Sequence, residues 1–146
     1  MNEWSGNPVK WKGKNCHQTL EDLWNYQEVL WGLKPKVIIE VGPGDKGTLT
    51  FIRDLRLCTV HSVDYSDAIP NLKESFTILD GDVYNSESII HDLNKFAPMS
   101  NHLVVCHTIR PDWGSYKAVK EWNNKEFTTF KPPYATRHTW LKRNGI

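Results

Sequence analysis

The passage Lys36-Val37-Ile38-Ile39-Glu40-Val41-Gly42-Pro43-Gly44-Asp45-Lys46-Gly47 constrains this chain more than any other, because a short β-branched run empties into glycines and then into the helical-looking Leu49–Leu57. Such a run reads as a buried strand, the glycines allow a sharp turn and a close approach of a ligand to the backbone, and the helix carries the chain back over the sheet. Strand, glycine-rich turn and helix together build a parallel sheet that holds ligands at the carboxyl ends of its strands. Glu40 at the strand end and Pro43 between the first two glycines set the passage apart from a dinucleotide-binding turn, and it lacks the Gly-Lys-Ser/Thr ending of a P-loop. The alternative reading is a tight turn whose glycines serve geometry alone.

The rest of the chain repeats the alternation. Leu20, Leu23, Trp24, Gln27, Leu30 and Trp31 recur at helical spacing, with Thr19 and Asp22 as a loose capping box and Gly32 and Pro35 as stop signals, which predicts a helix over 20–31. Strands are expected at Cys58–Val63, Phe76–Asp80 and Leu103–Cys106, and helices after Ser86, read as a cap, and around Tyr116, Val119 and Trp122. Phe127–Phe130 and Thr139–Lys142 are expected to close the sheet as an antiparallel pair. The fold class is therefore α/β, a Rossmann-like, doubly wound and mainly parallel sheet with helices on both faces. Residues 1–18 show no regular period and read as a Trp- and Lys-rich arm, leaving 19–146 as one domain, in keeping with a length of 146 residues.

Charge bears on partners. Lys and Arg number 18 against 17 Asp and Glu, so there is no whole-chain case for nucleic acid or an anionic membrane surface. Cysteines 16, 58 and 106 have no CxxC spacing, which argues against a zinc knuckle or a disulfide framework and makes a reducing cytoplasm the default. No signal-peptide run and no membrane-length apolar stretch is expected. Seven Trp, four of them within the first 31 residues, suggest docking of the arm or burial between subunits, hence a homo-oligomer.

Asp80 and His107 each follow an expected strand end and could meet at one edge of the sheet, where a carboxylate and an imidazole could act as general base on a hydroxyl. The alternative is a loop-capping Asp80 and an ordinary loop histidine. With Asp82 the two could also make an oxygen–nitrogen shell for a divalent ion, a reading not favoured here. Cys106 reads as a small buried hydrophobe, and Arg110 as a partner for Asp112 or for an acidic substrate.

The passage IIEVGPGDKG resembles the first motif of class I S-adenosylmethionine-dependent methyltransferases. Leu23-Trp24-Asn25-Tyr26-Gln27-Glu28 and Lys34-Pro35 before it, Ile78-Leu79-Asp80-Gly81-Asp82-Val83-Tyr84, and Leu103-Val104-Val105-Cys106-His107-Thr108 resemble the branch of sugar and small-molecule O-methyltransferases and cephalosporin-hydroxylase-like proteins. The resemblance covers about residues 20–146. It implies S-adenosylmethionine as cofactor, held by Glu40, Gly42, Gly44, Asp45 and, on the ribose hydroxyls, Asp64. It implies a small-molecule or saccharide acceptor, with Asp80 and His107 nearest to it. Three departures accompany it: eleven residues separate Asp64 from Phe76, which implies a sheet short of one strand; Val83 stands in place of a histidine; and Cys106-His107 stands in place of His-Asp. These departures favour, as a rival reading, a binding or assembly module that keeps the fold without transfer. A third reading gives the glycine turn a nucleotide or another anion.

Overall fold

The computed structural model describes residues 9–42, 46–57, 59–63 and 72–146. The chain begins with a hairpin, β1 (Val9–Trp11) and β2 (Lys14–Cys16), followed by α1 (Leu20–Leu33), β3 (Val37–Val41), α2 (Lys46–Asp54), β4 (Thr59–Val63) and β5 (Ser75–Leu79). Next come α3 (Ser86–Phe96), a 3-10 turn (Ala97–Met99), β6 (Ser100–Val105), α4 (Gly114–Glu121), β7 (Phe127–Thr129) and β8 (Thr139–Arg143). The main sheet runs β4-β3-β5-β6-β8-β7, with parallel pairing from β4 through β6 and antiparallel pairing at the two junctions of β8. This is the expected mainly parallel α/β sheet. Among the described residues β4 is its edge; the span 64–71, on which the expectation of a missing strand falls, lies outside them.

Alternation along the strands sorts side chains between two cores. Ile39, Val41, Leu79, Leu103 and Val105 pack beneath α3 and α4 with Leu93, Phe96 and Ala118. Ile38, Phe76, Ile78, Val104 and Cys106 face the opposite way, toward Leu23, Tyr26 and Leu30 of α1 and Phe51 and Ile52 of α2. All five residues of β5 are buried, as a central strand covered on both faces requires.

Local chemistry moves several boundaries. The arm expected to be irregular contains β1 and β2, turned at Lys12 (φ 48°) and Gly13 (φ 79°), whose two positive φ values suit a two-residue hairpin. Three residues per strand are too few to show a period. The hairpin is tied to α2: the Trp11 indole N–H and the Lys12 ammonium both reach Asp54 Oδ2, at 2.8 and 2.9 Å, and the Trp11 and Phe51 rings meet edge to face at 5.1 Å. Helix α2 begins and ends earlier than expected, closing at Arg56 in the left-handed region (φ 53°). Asn85 rather than Ser86 caps α3, its side chain accepting from the Ser88 N–H at 3.1 Å. Thr19 caps α1 as expected, accepting from the Asp22 N–H at 3.1 Å.

A Cβ at Gly47 would lie 2.4 Å from the Asn15 carbonyl oxygen and 2.6 Å from Cys16 Sγ, so α2 and the hairpin touch through a glycine. Gly47→Ala is expected to lose about 1–3 kcal/mol by overpacking. Urea unfolding measures it, and no loss would show that the hairpin yields freely.

Candidate active site

Strand order reverses between β3 and β5, and the ends of those strands converge there. Gly42 follows β3 with φ 106°, its N–H donating to the Val63 carbonyl at 3.1 Å, while the Asp80 N–H donates to the Val41 carbonyl at 2.9 Å. A Cβ at position 42 would lie 2.3 Å from the Asp80 carbonyl oxygen, so only glycine fits where the two strands leave the sheet. Glu40 is buried at 4% exposure on β3. Gly44, Asp45 and Asp64 lie outside the described residues.

Asp80 and His107 come together, with His107 Nε2 3.7 Å from Asp80 Oδ1 and side-chain exposures of 7% and 13%. Burial, with His138, His17 and Arg137 adding to it, pushes the His107 imidazole down to about 3. The ring is therefore neutral at neutral pH, and its contact with Asp80 is that of a dipole with a carboxyl group rather than an ion pair. Cys106, one residue before, is buried against the Tyr26 hydroxyl at 3.6 Å, and burial pushes its thiol well up, as suits a small hydrophobe. Asp82 is turned to its own loop, accepting from the Tyr84 N–H at 3.0 Å, and among the described residues no three His, Cys, Asp or Glu groups gather as a metal shell. The Asp80, Asp82 and His107 set is thus not assembled. Arg110 pairs with Asp112 at 3.2 Å, the local alternative of its two readings.

Three further residues, unassigned by sequence reasoning, complete the site. His138, immediately before β8, stands edge-on to His107 with ring centroids 5.1 Å apart, and its Nδ1 accepts the His107 backbone N–H at 3.0 Å. Its Nε2 faces Gln18 Oε1 and lies 3.6 Å from Asp22 Oδ2. Asp22, fully buried in the first turn of α1, accepts from the Thr136 hydroxyl at 2.6 Å, the Arg137 N–H at 2.8 Å and the Asn25 amide at 3.2 Å. Asn25 binds the same loop through Tyr134 N–H and the carbonyls of Tyr134 and Ala135. Asp22 lies off the stripe of Leu20, Leu23, Trp24, Gln27, Leu30 and Trp31 expected from sequence: α1 turns Asp22, Leu23, Asn25, Tyr26 and Leu30 inward and leaves Leu20, Trp24 and Trp31 exposed, so nothing local marked Asp22, Gln18 or His138. A cavity of about 310 Å³ is lined by the first turn of α1 and the loop it holds, through Thr19, Glu21, Ile109, Ala135, Thr136 and Arg137, and by neither Asp80 nor His107.

Residues 3–106 match the family described as Rhamnosyl O-methyltransferase/CmcI. A rhamnosyl O-methyltransferase of Mycobacterium leprae is 35% identical over 51 residues, 35% of this chain and 22% of the relative. One from Mycobacterium tuberculosis (strain ATCC 25618 / H37Rv) is 37% identical over 43 residues, 30% of this chain and 18% of the relative. The matched stretch thus spans about a fifth of these curated relatives. The solved structure described as "cmcI-N160 SAH" superimposes with a TM-score of 0.66 at 17% identity, covering 95% of this chain and 84% of that one, which shows the shared fold. Gly42, Gly44 and Gly47 follow the G-x-G-x-x-G spacing, and neither Glu40 nor Pro43 departs from it. The family match, rather than spacing, sets a dinucleotide turn aside.

Two predictions follow from burial. Unfolded, His107 would take up its proton near pH 6.5, whereas folded it stays neutral down to about 3. The unfolded state therefore binds more protons between those values, and stability is full above pH 6.5 and falls as pH drops, by about 1.4 kcal/mol per pH unit for this group alone. His138, also lowered chiefly by burial, acts in the same direction. Denaturant titrations from pH 7 to 4 check the slope, and NMR titration of the His107 ring checks its source. Separately, Asp22→Ala removes the buried carboxyl that accepts from Thr19, Asn25, Thr136 and Arg137 and is expected to cost about 3 kcal/mol or more, read as a fall in the urea midpoint.

Proposed function

Because the chain belongs to the Rhamnosyl O-methyltransferase/CmcI family, we propose that it binds S-adenosylmethionine at the carboxyl end of β3 and methylates a hydroxyl of a small molecule or saccharide. The observation that carries this reading is the pairing of Asp80 with His107 at the topological switch point, beside the glycine exit from β3. In it, Glu40 and Gly42, with Gly44, Asp45 and Asp64 beyond the described residues, hold the cofactor. The residues present fit such a group: a glycine exit too close for any side chain, a buried acid on the same strand, and a strand edge where parallel sheets take ligands.

When bound, the cofactor would supply a methyl group on a sulfonium to the acceptor oxygen, keeping the electrons of the sulfur–carbon bond on sulfur, and the hydroxyl proton would have to leave. His107, neutral at working pH, accepts that hydrogen bond through a ring nitrogen without first losing a proton. Asp80 alongside favours the imidazolium that forms as the proton moves. A resting value of about 3 makes His107 a weak proton store, so alignment of the hydroxyl carries much of the effect and the proton passes on to water. The cavity lined by Ile109, Thr136 and Arg137, close in the chain to His107 and His138, is where this reading seats the acceptor.

The test is a calorimetric and thermal-shift titration with S-adenosylmethionine and S-adenosylhomocysteine, with and without Mg²⁺. Ligand at 100 times its dissociation constant should add about 2.7 kcal/mol. Asp64→Ala is expected to weaken that binding, whereas His107→Ala should spare it and slow turnover by about 10²-fold or more. Rate should show no acidic limb near pH 6–7. Absence of any response at millimolar ligand would favour the rival reading, a binding module that performs no transfer.

The homo-oligomer in this reading is supported by α1, where Trp24 and Trp31 are 49% and 60% exposed. Light scattering at high concentration is expected to give a multiple of the 16.9 kDa chain, and a single-chain mass would remove it.

A further inference from the structure

His107 leaves β6 with φ 57°, in the left-handed region that few residues other than glycine occupy. Both of its backbone groups are held there by buried side chains from other elements. Its N–H donates to His138 Nδ1 at 3.0 Å, and its carbonyl accepts the Ser115 hydroxyl at 2.5 Å, with Ser115 0% and His138 5% exposed. A non-glycine residue kept in a strained conformation by two separate clamps is over-determined, the arrangement by which a fold pre-organises a site.

The clamps also reach Asp80's side of the site. The Ser115 N–H donates to the Val83 carbonyl at 2.8 Å, and a Cβ on Gly114 would lie 2.6 Å from the Tyr84 carbonyl oxygen, so the first turn of α4 is seated on the loop that follows Asp80. Ser115 thereby joins the two loops that carry the pair. His138 is aligned in turn: an Nδ1 that accepts a backbone N–H leaves the proton on Nε2, which faces Gln18 Oε1 with Asp22 Oδ2 behind it.

We propose that His138, through Nδ1, and Ser115, through its hydroxyl, are positioning residues that lock the His107 backbone in its left-handed turn and so set its imidazole against Asp80. What the lock is for rests on the transfer reading above; the lock itself is measurable without turnover.

The test compares His138→Asn with His138→Gln. An asparagine oxygen can occupy the place of Nδ1, whereas glutamine reaches the place of Nε2 and leaves the His107 N–H without its acceptor. In NMR spectra of the labelled protein, the His107 amide shift and HN–Hα coupling should stay near the parent values in the asparagine variant and move in the glutamine variant. With S-adenosylmethionine and methyl rhamnoside as probes, kcat should fall about tenfold or more in His138→Gln while KM for S-adenosylmethionine stays within about twofold, and His138→Asn should recover most of the loss. Ser115→Ala, which deletes a single oxygen, is the second variant, expected to move the His107 carbonyl shift and to lower kcat in the same sense.

If His107 signals are the same in the asparagine and glutamine variants, or unmoved in Ser115→Ala, the proposal is overturned, because packing volume alone would then explain both residues. Should the parent protein show no turnover, the transfer reading fails, while the NMR comparison still decides for or against the lock.

Discussion

The buried carboxyl group of Asp22 is the contact on which the site depends. It sits in the first turn of α1, a place that suits negative charge, and it collects the Thr136 hydroxyl and the Arg137 N–H from a loop more than a hundred residues away in sequence. Asn25, one turn on, takes up the backbone of Tyr134 and Ala135. Two helical positions one turn apart thus satisfy the inward polar groups of a partly exposed loop and fix its course. The loop ends at His138 and enters β8, whose antiparallel pairing with β6 brings His138 to the same sheet edge as His107.

Parallel topology does the rest. Strands β3, β5 and β6 all run the same way, so Gly42, Asp80 and His107 emerge at one edge although they are spread over more than sixty residues. Close passage of Gly42 over the Asp80 carbonyl makes the glycine turn and the candidate catalytic pair one continuous piece of backbone packing. In that crowded place burial, with His138, His17 and Arg137 adding to it, pushes the His107 imidazole down, which is why it is neutral. A neutral, rigidly held imidazole suits the alignment of a hydroxyl better than the storage of a proton.

Much of the fold was legible in the residues. The β-branched runs, the glycine turn after Val41, the Thr19 cap and the antiparallel closing pair follow from periodicity and punctuation, which are local properties. The hairpin at Lys12-Gly13 escaped because three-residue strands have no period to read, and Asn85 escaped as a cap because Ser86 beside it is an equally good candidate by type. Asp80 and His107 stood out because each closes a strand, and strand ends are where such sheets act.

Sequence by itself therefore determined the alternation of strands and helices and the glycine exit at Gly42, since each depends on residues close together in the chain, and it marked Asp80 and His107 as candidates by their places at strand ends. Only the tertiary structure decided that His138, Gln18 and Asp22 stand behind His107, that Ser115 joins the two loops, and that His107 is neutral. Those features depend on which distant segments are buried against one another, and burial at a point is a property of the packed whole rather than of any local pattern.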